Sequence, residues 1–436
     1  MPDSPDPRSV FAALGLPPPD DAASAAWQRS QSDFPGGVFF LESAYVRDCC
    51  RALQMKPDVE EALVAALSDY ADHPVLTRLA WHWHKQLAAC GPGDDPALLS
   101  NWVRFPPPPR VDGRELPLFF AYIFLSRLAA IREFHQRRGI PDDVSLDTLS
   151  DLELWLCEHR RLFGRFGLHR PDWIQNHFLG RLFKLGRLQF ETHAFGHGFR
   201  AYRNRRTRQV VLLAPGAQRF RADGQFETAD GGAQKGVFSS EFEETAGPLA
   251  TNGTVRGNPA SPLGGVLPDA VTLPLADWSL IFQAGDPCLG IHIAATGPLD
   301  HAQCGESMRR AGPFYEKYFP ERPFKALTCS SWLLDPQFER YMPADSNIVR
   351  FLAEFYLYPL PWANDHQTYE RVFDDAKIDV AKAPQKTSLQ RILVEHVKSG
   401  GRWRGGGAIL FPEDLDWGRQ VYRTASRQKA EGRKQE

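Results

Sequence analysis

Cys-x-x-Cys pairs are absent from this sequence. Seven cysteines (49, 50, 90, 157, 288, 304 and 329) include no Cys-x-x-Cys, and an odd number builds no disulfide framework. They read as small buried thiols of a reducing compartment. Charge of one sign is missing too. The net charge is −2, so no polyanion-binding surface is expected and nucleic acid is not expected as a partner. The longest apolar run, "LPLFFAYIFL" (116–125), is about half of what a bilayer requires, and it reads as a buried helix. The first residues, "MPDSPDPRSVFAALGL", put acid and proline where a signal peptide needs positive charge. A cytoplasmic protein with no membrane partner is the expectation. The Walker and Rossmann glycine patterns and the GxSxG elbow are also absent, so no phosphate loop or hydrolase nucleophile is marked by motif.

With 436 residues the chain exceeds one core, and two domains are expected. Up to about residue 165 the patterns are helical. "DVEEALVAALSDYA" (58–71) and "PVLTRLAWHWHKQLAACG" (74–91) carry apolar residues at helix spacing, with Leu76, Leu79, Ala80, Trp83 and Leu87 on one face. "SDLELWLCEHRRLFG" (150–164) does likewise and stops at Gly164. From Arg205 to about Ala295 short β-runs and turn residues take over, with Asp223-Gly224 as a hairpin turn. The Gly/Asn/Pro-rich stretch 247–265 reads as a long loop, and strand and helix alternate after it. This is an α+β chain: a helical domain (9–165), a larger domain on a mostly antiparallel sheet (166–423), and a disordered polar tail (424–436).

Chemistry concentrates in "GDPCLGIHIAATGPLDHAQCGESMRRA" (285–311), which reads as strand, Gly-containing turn and capped helix. Both faces of "CLGIHIAA" are largely apolar, so a central covered strand is expected. Asp300 is the expected N-cap, and Gly312-Pro313 is expected to kink or break the helix. The turn Ala295-Thr296-Gly297 is a candidate anion cradle, because N–H groups at a helix start favour phosphate; its plainer reading is a connection. His292, on the less bulky strand face, is either a hydrogen-bonded core histidine or a proton acceptor beside that loop. "LTCSSWLLDP" (327–336) is a strand carrying Cys329 and Ser331, either of which is a nucleophile candidate only with a base nearby. His193 and His197 are four apart, but no third ligand is apparent and no metal is expected. Gly400 and Gly401 read as a helix C-cap, while Arg402 and Arg404 beside them are able to clamp a phosphate or carboxylate.

Four blocks carry a resemblance: "QNHFLGRLFKLGRLQFE" (175–191), the stretch 285–311, "SWLLDPQFERYMPADSNIVRF" (331–351) and "TSLQRILVEHVKSGGRWRGGG" (387–407). In this order they resemble a bacterial acyltransferase-domain family with an N-acyltransferase N-terminal domain and a GNAT-like C-terminal domain. The resemblance implies a GNAT-like α/β domain, acyl-CoA as co-substrate, and transfer of the acyl group to an amine of a small molecule. It implies that "CLGIHIAA" splays from the next strand, that 295–297 hold the pyrophosphate, and that the helix from Ser346 carries a tyrosine acid, Tyr356. His292 would be the base, with Ser331 or Tyr356 protonating the thiolate. The GNAT loop signature, Arg/Gln-x-x-Gly-x-Gly/Ala, is missing. The alternatives are a non-catalytic GNAT-shaped binding or regulatory protein, and a hydrolase using Ser331 or Cys329 with His292.

Overall fold

The structure is a computed structural model, and it describes residues 5–92, 102–227, 237–245, 253–361 and 365–423. The tail 424–436 and residues 247–252 of the expected loop lie outside these. Contacts divide the chain into two units, Met1–Leu185 and Gly186–Glu436; composition changes near 165.

The first unit is helical. The run 116–125 forms the helix Phe119–Leu125, in which every residue is buried. The Tyr122 hydroxyl inside it donates to the Leu63 carbonyl at 2.6 Å. Leu76, Leu79, Ala80, Trp83 and Leu87 all face inward from Pro74–Ala89. The stretch 58–71 makes two helices, Pro57–Ala65 and Ser68–Ala71, instead of one. His82 and His84 are structural, bound to Ser30 Oγ at 2.9 Å and Ser126 Oγ at 2.8 Å. Gly164 ends Asp151–Phe163 in the left-handed conformation that a side chain resists.

The second unit is built on a mixed sheet: β1 (Leu188–Ala194), β2 (Pro287–Ile293), β3 (Ala326–Ser331), β4 (Tyr356–Pro359) and β5 (Gly406–Leu410). The strands lie in the order β4-β5-β3-β2-β1, antiparallel except for β2 and β3. That parallel pair is joined by helix α1 (His301–Tyr318), as a crossover requires. Asp300 caps α1 through a bond from Gln303 N at 2.9 Å. Gly312-Pro313 does not break the helix. Pro313 is exposed, so the carbonyl it leaves without a donor is free to turn to water.

Among the smaller sheets of this unit, two share a core. The first has the order Pro259–Ala260, Val210–Leu213, Arg200–Asn204, Trp278–Phe282, and the second Val271–Pro274, Thr254–Gly257, Phe242–Thr245. Tyr202, Leu213, Val255 and Leu273 form their shared core. The expected loop 247–265 therefore contains strand. Thr254-Val255 alternates in a short window, and burial of Val255 outweighs the surrounding glycines.

Candidate active site

The ladder between β2 and β3 pairs Cys288 with Ala326, Leu289 with Leu327 and Gly290 with Thr328, then ends. β2 continues to Ile293 and β3 to Ser331, so two parallel strands part beyond Gly290 and Thr328. An opening of this kind turns backbone groups of a central strand toward a gap instead of a neighbour.

One face of the sheet at this opening is polar, contrary to the expectation for β2. Register places Cys288 opposite His193 and Gly290 opposite Glu191, with Thr328 beside Gly290 on the other side. His193 Nε2 lies 3.4 Å from Cys288 Sγ and 3.3 Å from Thr328 Oγ1. Glu191 Oε1 lies 2.8 Å from His292 Nε2 across the diagonal. A carboxylate only accepts, so this bond puts the His292 proton on Nε2 and makes Nδ1 its basic nitrogen. Gly290 makes the room: a Cβ there would sit 2.9 Å from His193 Nε2 and 3.3 Å from Glu191 Cγ. Farther along the same face His197 Nε2 lies 3.5 Å from Ser330 Oγ, and its ring is 5.4 Å from that of Tyr358. Burial first, and then repulsion from His193, hold His197 down to about 4, so it is neutral near pH 7. Burial also keeps Tyr358 protonated, well above its ordinary value.

The residues singled out in the sequence separate here. His292, half-buried, joins Glu191 at the opening. Ser331 projects from the opposite face, where its hydroxyl accepts from Leu333 N at 3.2 Å and caps a short 3-10 turn. Cys329 shares that opposite face and is buried, which pushes its thiol up to about 12. Neither therefore meets His292, and the hydrolase arrangement is not assembled. Tyr356 is on β4, not on a helix, because Asn347–Ala353 ends first. Its hydroxyl donates to the Ala260 carbonyl at 2.6 Å and receives Leu212 N at 3.4 Å. Among the described residues no group of three or more His, Cys, Asp or Glu is placed to hold a metal ion, the His193/His197 pair included.

The loop after β2 is held from below. Arg187, almost fully buried, donates to three loop carbonyls at 2.9 Å: Nη1 to Ala294, Nη2 to Gly297 and Nε to Pro298. Ser307 of α1 fixes the Arg187 backbone, accepting its N–H at 2.8 Å. Ala295, Thr296, Gly297 and Pro298 are exposed. Gly297 has φ +107°, which only glycine adopts readily, and a Cβ there would meet open space. The helix start itself is occupied by the Asp300 cap, so the loop is organised by a buried guanidinium and not by the α1 terminus.

Glu191, Thr328, Ser330 and Tyr358 do not stand out in the sequence. The only signal is alternation: "ETH" puts Glu191 and His193 on one face of a strand whose neighbours are apolar.

The GNAT-like C-terminal domain family matches residues 182–410, and the N-acyltransferase N-terminal domain matches residues 44–180. No curated protein matches the chain. Among solved structures, an acyltransferase in complex with decanoyl-CoA and teicoplanin is 26% identical with a TM-score of 0.62, covering 93% of this chain and 99% of its own. An acyltransferase with CoA and 10C-teicoplanin is 25% identical with a TM-score of 0.61, at the same coverage. A mutant acyltransferase with octanoyl-CoA is 25% identical with a TM-score of 0.59, again at that coverage. Among the described residues no helix is long and apolar enough to cross a membrane.

Proposed function

Since the chain belongs to the family of the GNAT-like C-terminal domain, we propose that it is an acyl-CoA-dependent acyltransferase acting on an amine of a small molecule. The observation that carries this is the opening between β2 and β3, with the His292–Glu191 pair on its lip. Its solved relatives hold octanoyl- or decanoyl-CoA, which supports a medium-chain acyl donor here. One of them holds teicoplanin as well, which supports a bulky amine-bearing acceptor.

In this reading the acyl-CoA pyrophosphate lies on the outward N–H groups of 295–297. Arg187 underneath takes the loop carbonyls and adds positive charge. The thioester carbonyl enters the opening, where backbone N–H groups of β2 beyond Gly290 stabilise the oxyanion. The acceptor amine attacks the thioester carbon and gives its proton to His292 Nδ1, while Glu191 stabilises the imidazolium through Nε2. The C–S bond then breaks, and the thiolate takes a proton from the Ser330–Tyr358 side of the cluster. Tyr356 and Ser331 are committed to structural bonds and leave that role to these neighbours.

Binding of decanoyl-CoA is the test. At a hundred times its Kd it should stabilise the protein by about 2.7 kcal/mol. His292→Ala should keep that shift and lose CoA release with teicoplanin as acceptor. If no acyl-CoA from acetyl to decanoyl shifts the melting curve, the non-catalytic reading replaces this one. Normal turnover in a folded His292→Ala variant would remove His292 from the mechanism.

A further inference from the structure

Past the end of β3, on the far side of the sheet opening, lies a cavity of about 370 Å³. This is the size of a small-molecule site. Its walls come from the turn at 223–225, the loop at 263–265, residues 335–340 and Arg404. These walls are tied together. Asp335 accepts Arg404 N at 2.7 Å and Gln337 N at 2.9 Å, and Gln337 Nε2 donates to the Arg402 carbonyl at 2.9 Å.

The charges around it are not balanced. The acids have partners: Asp223 pairs with Arg221 at 3.2 Å, and Glu339 takes both Nη atoms of Arg423 at 3.0 and 2.7 Å. Asp335 is occupied by neutral N–H donors, and Arg340 acts on it through space without a direct bond. Arg404 is only 6% exposed, yet its guanidinium makes no ion pair or hydrogen bond among the described residues. Arg340 at the rim likewise makes no ion pair or side-chain hydrogen bond among them. With no partner among the described residues, the N–H groups of the Arg404 guanidinium face the water of the cavity, where a carboxylate is able to take that water's place.

We propose that this cavity is a binding site for the carboxylate of a small molecule, held by Arg404 and steadied by Arg340. The planar fork of a guanidinium matches a carboxylate with two parallel N–H···O bonds. The acids in the same walls set the charge: they tolerate one negative charge and oppose the two of a phosphate. The site does not depend on acyl transfer, and it is tested without acyl-CoA.

The experiment is a melting curve of the full chain in sodium acetate, against sodium chloride at matched ionic strength. Wild type should gain about 3 °C in a saturable way by about 0.1 M acetate. Arg404→Met keeps the aliphatic stem and removes the charge, and it should lose the acetate effect. Should that variant not fold, Arg340→Gln, at an exposed position, should weaken the apparent acetate affinity several-fold. An acetate response equal in wild type and Arg404→Met, or no saturable response in wild type, overturns the site. So does stabilisation by sodium phosphate with none by acetate.

Discussion

Replacing Arg187 by methionine probes the loop and the donor site together. The three bonds to Ala294, Gly297 and Pro298 are all 2.9 Å, and each comes from a charged donor. Bonds of that kind contribute about 1.5–3 kcal/mol each, so their sum sets an upper bound of roughly 5–9 kcal/mol. Two corrections reduce it. The backbone at Gly297 and Pro298 is exposed, so those carbonyls regain water; Ala294 is buried, and its carbonyl does not. Burial also disfavours the guanidinium charge, lowering its pKa, and that cost disappears with the side chain. What remains is one orphaned carbonyl plus lost packing, about 2–4 kcal/mol. Urea unfolding of wild type and Arg187→Met measures that loss, and calorimetric titration with decanoyl-CoA measures the donor site. Affinity should fall by about tenfold or more, since a loop that must be ordered on binding adds its ordering cost to every complex. A variant as stable as wild type that binds decanoyl-CoA equally well would refute the role given to Arg187.

Three further outcomes are expected. Gly290→Ala places a methyl group 2.9 Å from His193 Nε2 and should cost about 1–3 kcal/mol, with turnover falling further than stability because Glu191 is displaced from His292; unchanged turnover would separate Glu191 from the reaction. Tyr356→Phe strands the Ala260 carbonyl and should cost about 1–3 kcal/mol while leaving activity per folded molecule intact, whereas Tyr358→Phe should slow turnover; the reverse pattern in CoA-release assays would exchange their roles. Burial holds His82, His84, His135 and His197 down to about 4, so the folded chain keeps them neutral while the unfolded chain protonates them near pH 6.5. Stability from these groups is complete above pH 6.5, is lost as pH falls to about 4, and levels off below that, which denaturant midpoints against pH would reveal.

Much of the scaffold was legible because the deciding interactions are local. The buried stripe Leu76–Leu87, the Asp300 cap and the left-handed Gly164 each need only neighbours within a turn or two. Pro313 shows where local rules stop, since its cost depends on which side of α1 meets water. In the sequence Tyr356 reads as part of a helix, because nothing in "NIVRFLAEFYLYP" marks the end at Ala353 except the pairing of β4 with β5. The candidate site is non-local throughout. His292 could be nominated from its own strand, but Glu191 is 101 residues away and is brought there by the register of β1 with β2. The loop lacks a glycine signature because its carbonyls are taken by Arg187, more than a hundred positions earlier.

Amide hydrogen exchange should register the parting of β2 and β3 as a step within a single strand. Along β2 alternate amides turn toward β1, whose antiparallel pairing runs the whole length from Pro287 to Ile293. The amides between them turn toward β3, and their pairing stops at Gly290. Exchange in the centre of a sheet normally reports opening of the whole unit. Here the β3-facing amides of Ile291–Ile293 should exchange orders of magnitude faster than their immediate neighbours, in a protein that is otherwise folded. A thioester carbonyl seated in the gap would slow those amides alone, giving a residue-level record of occupancy that needs no acceptor and no turnover.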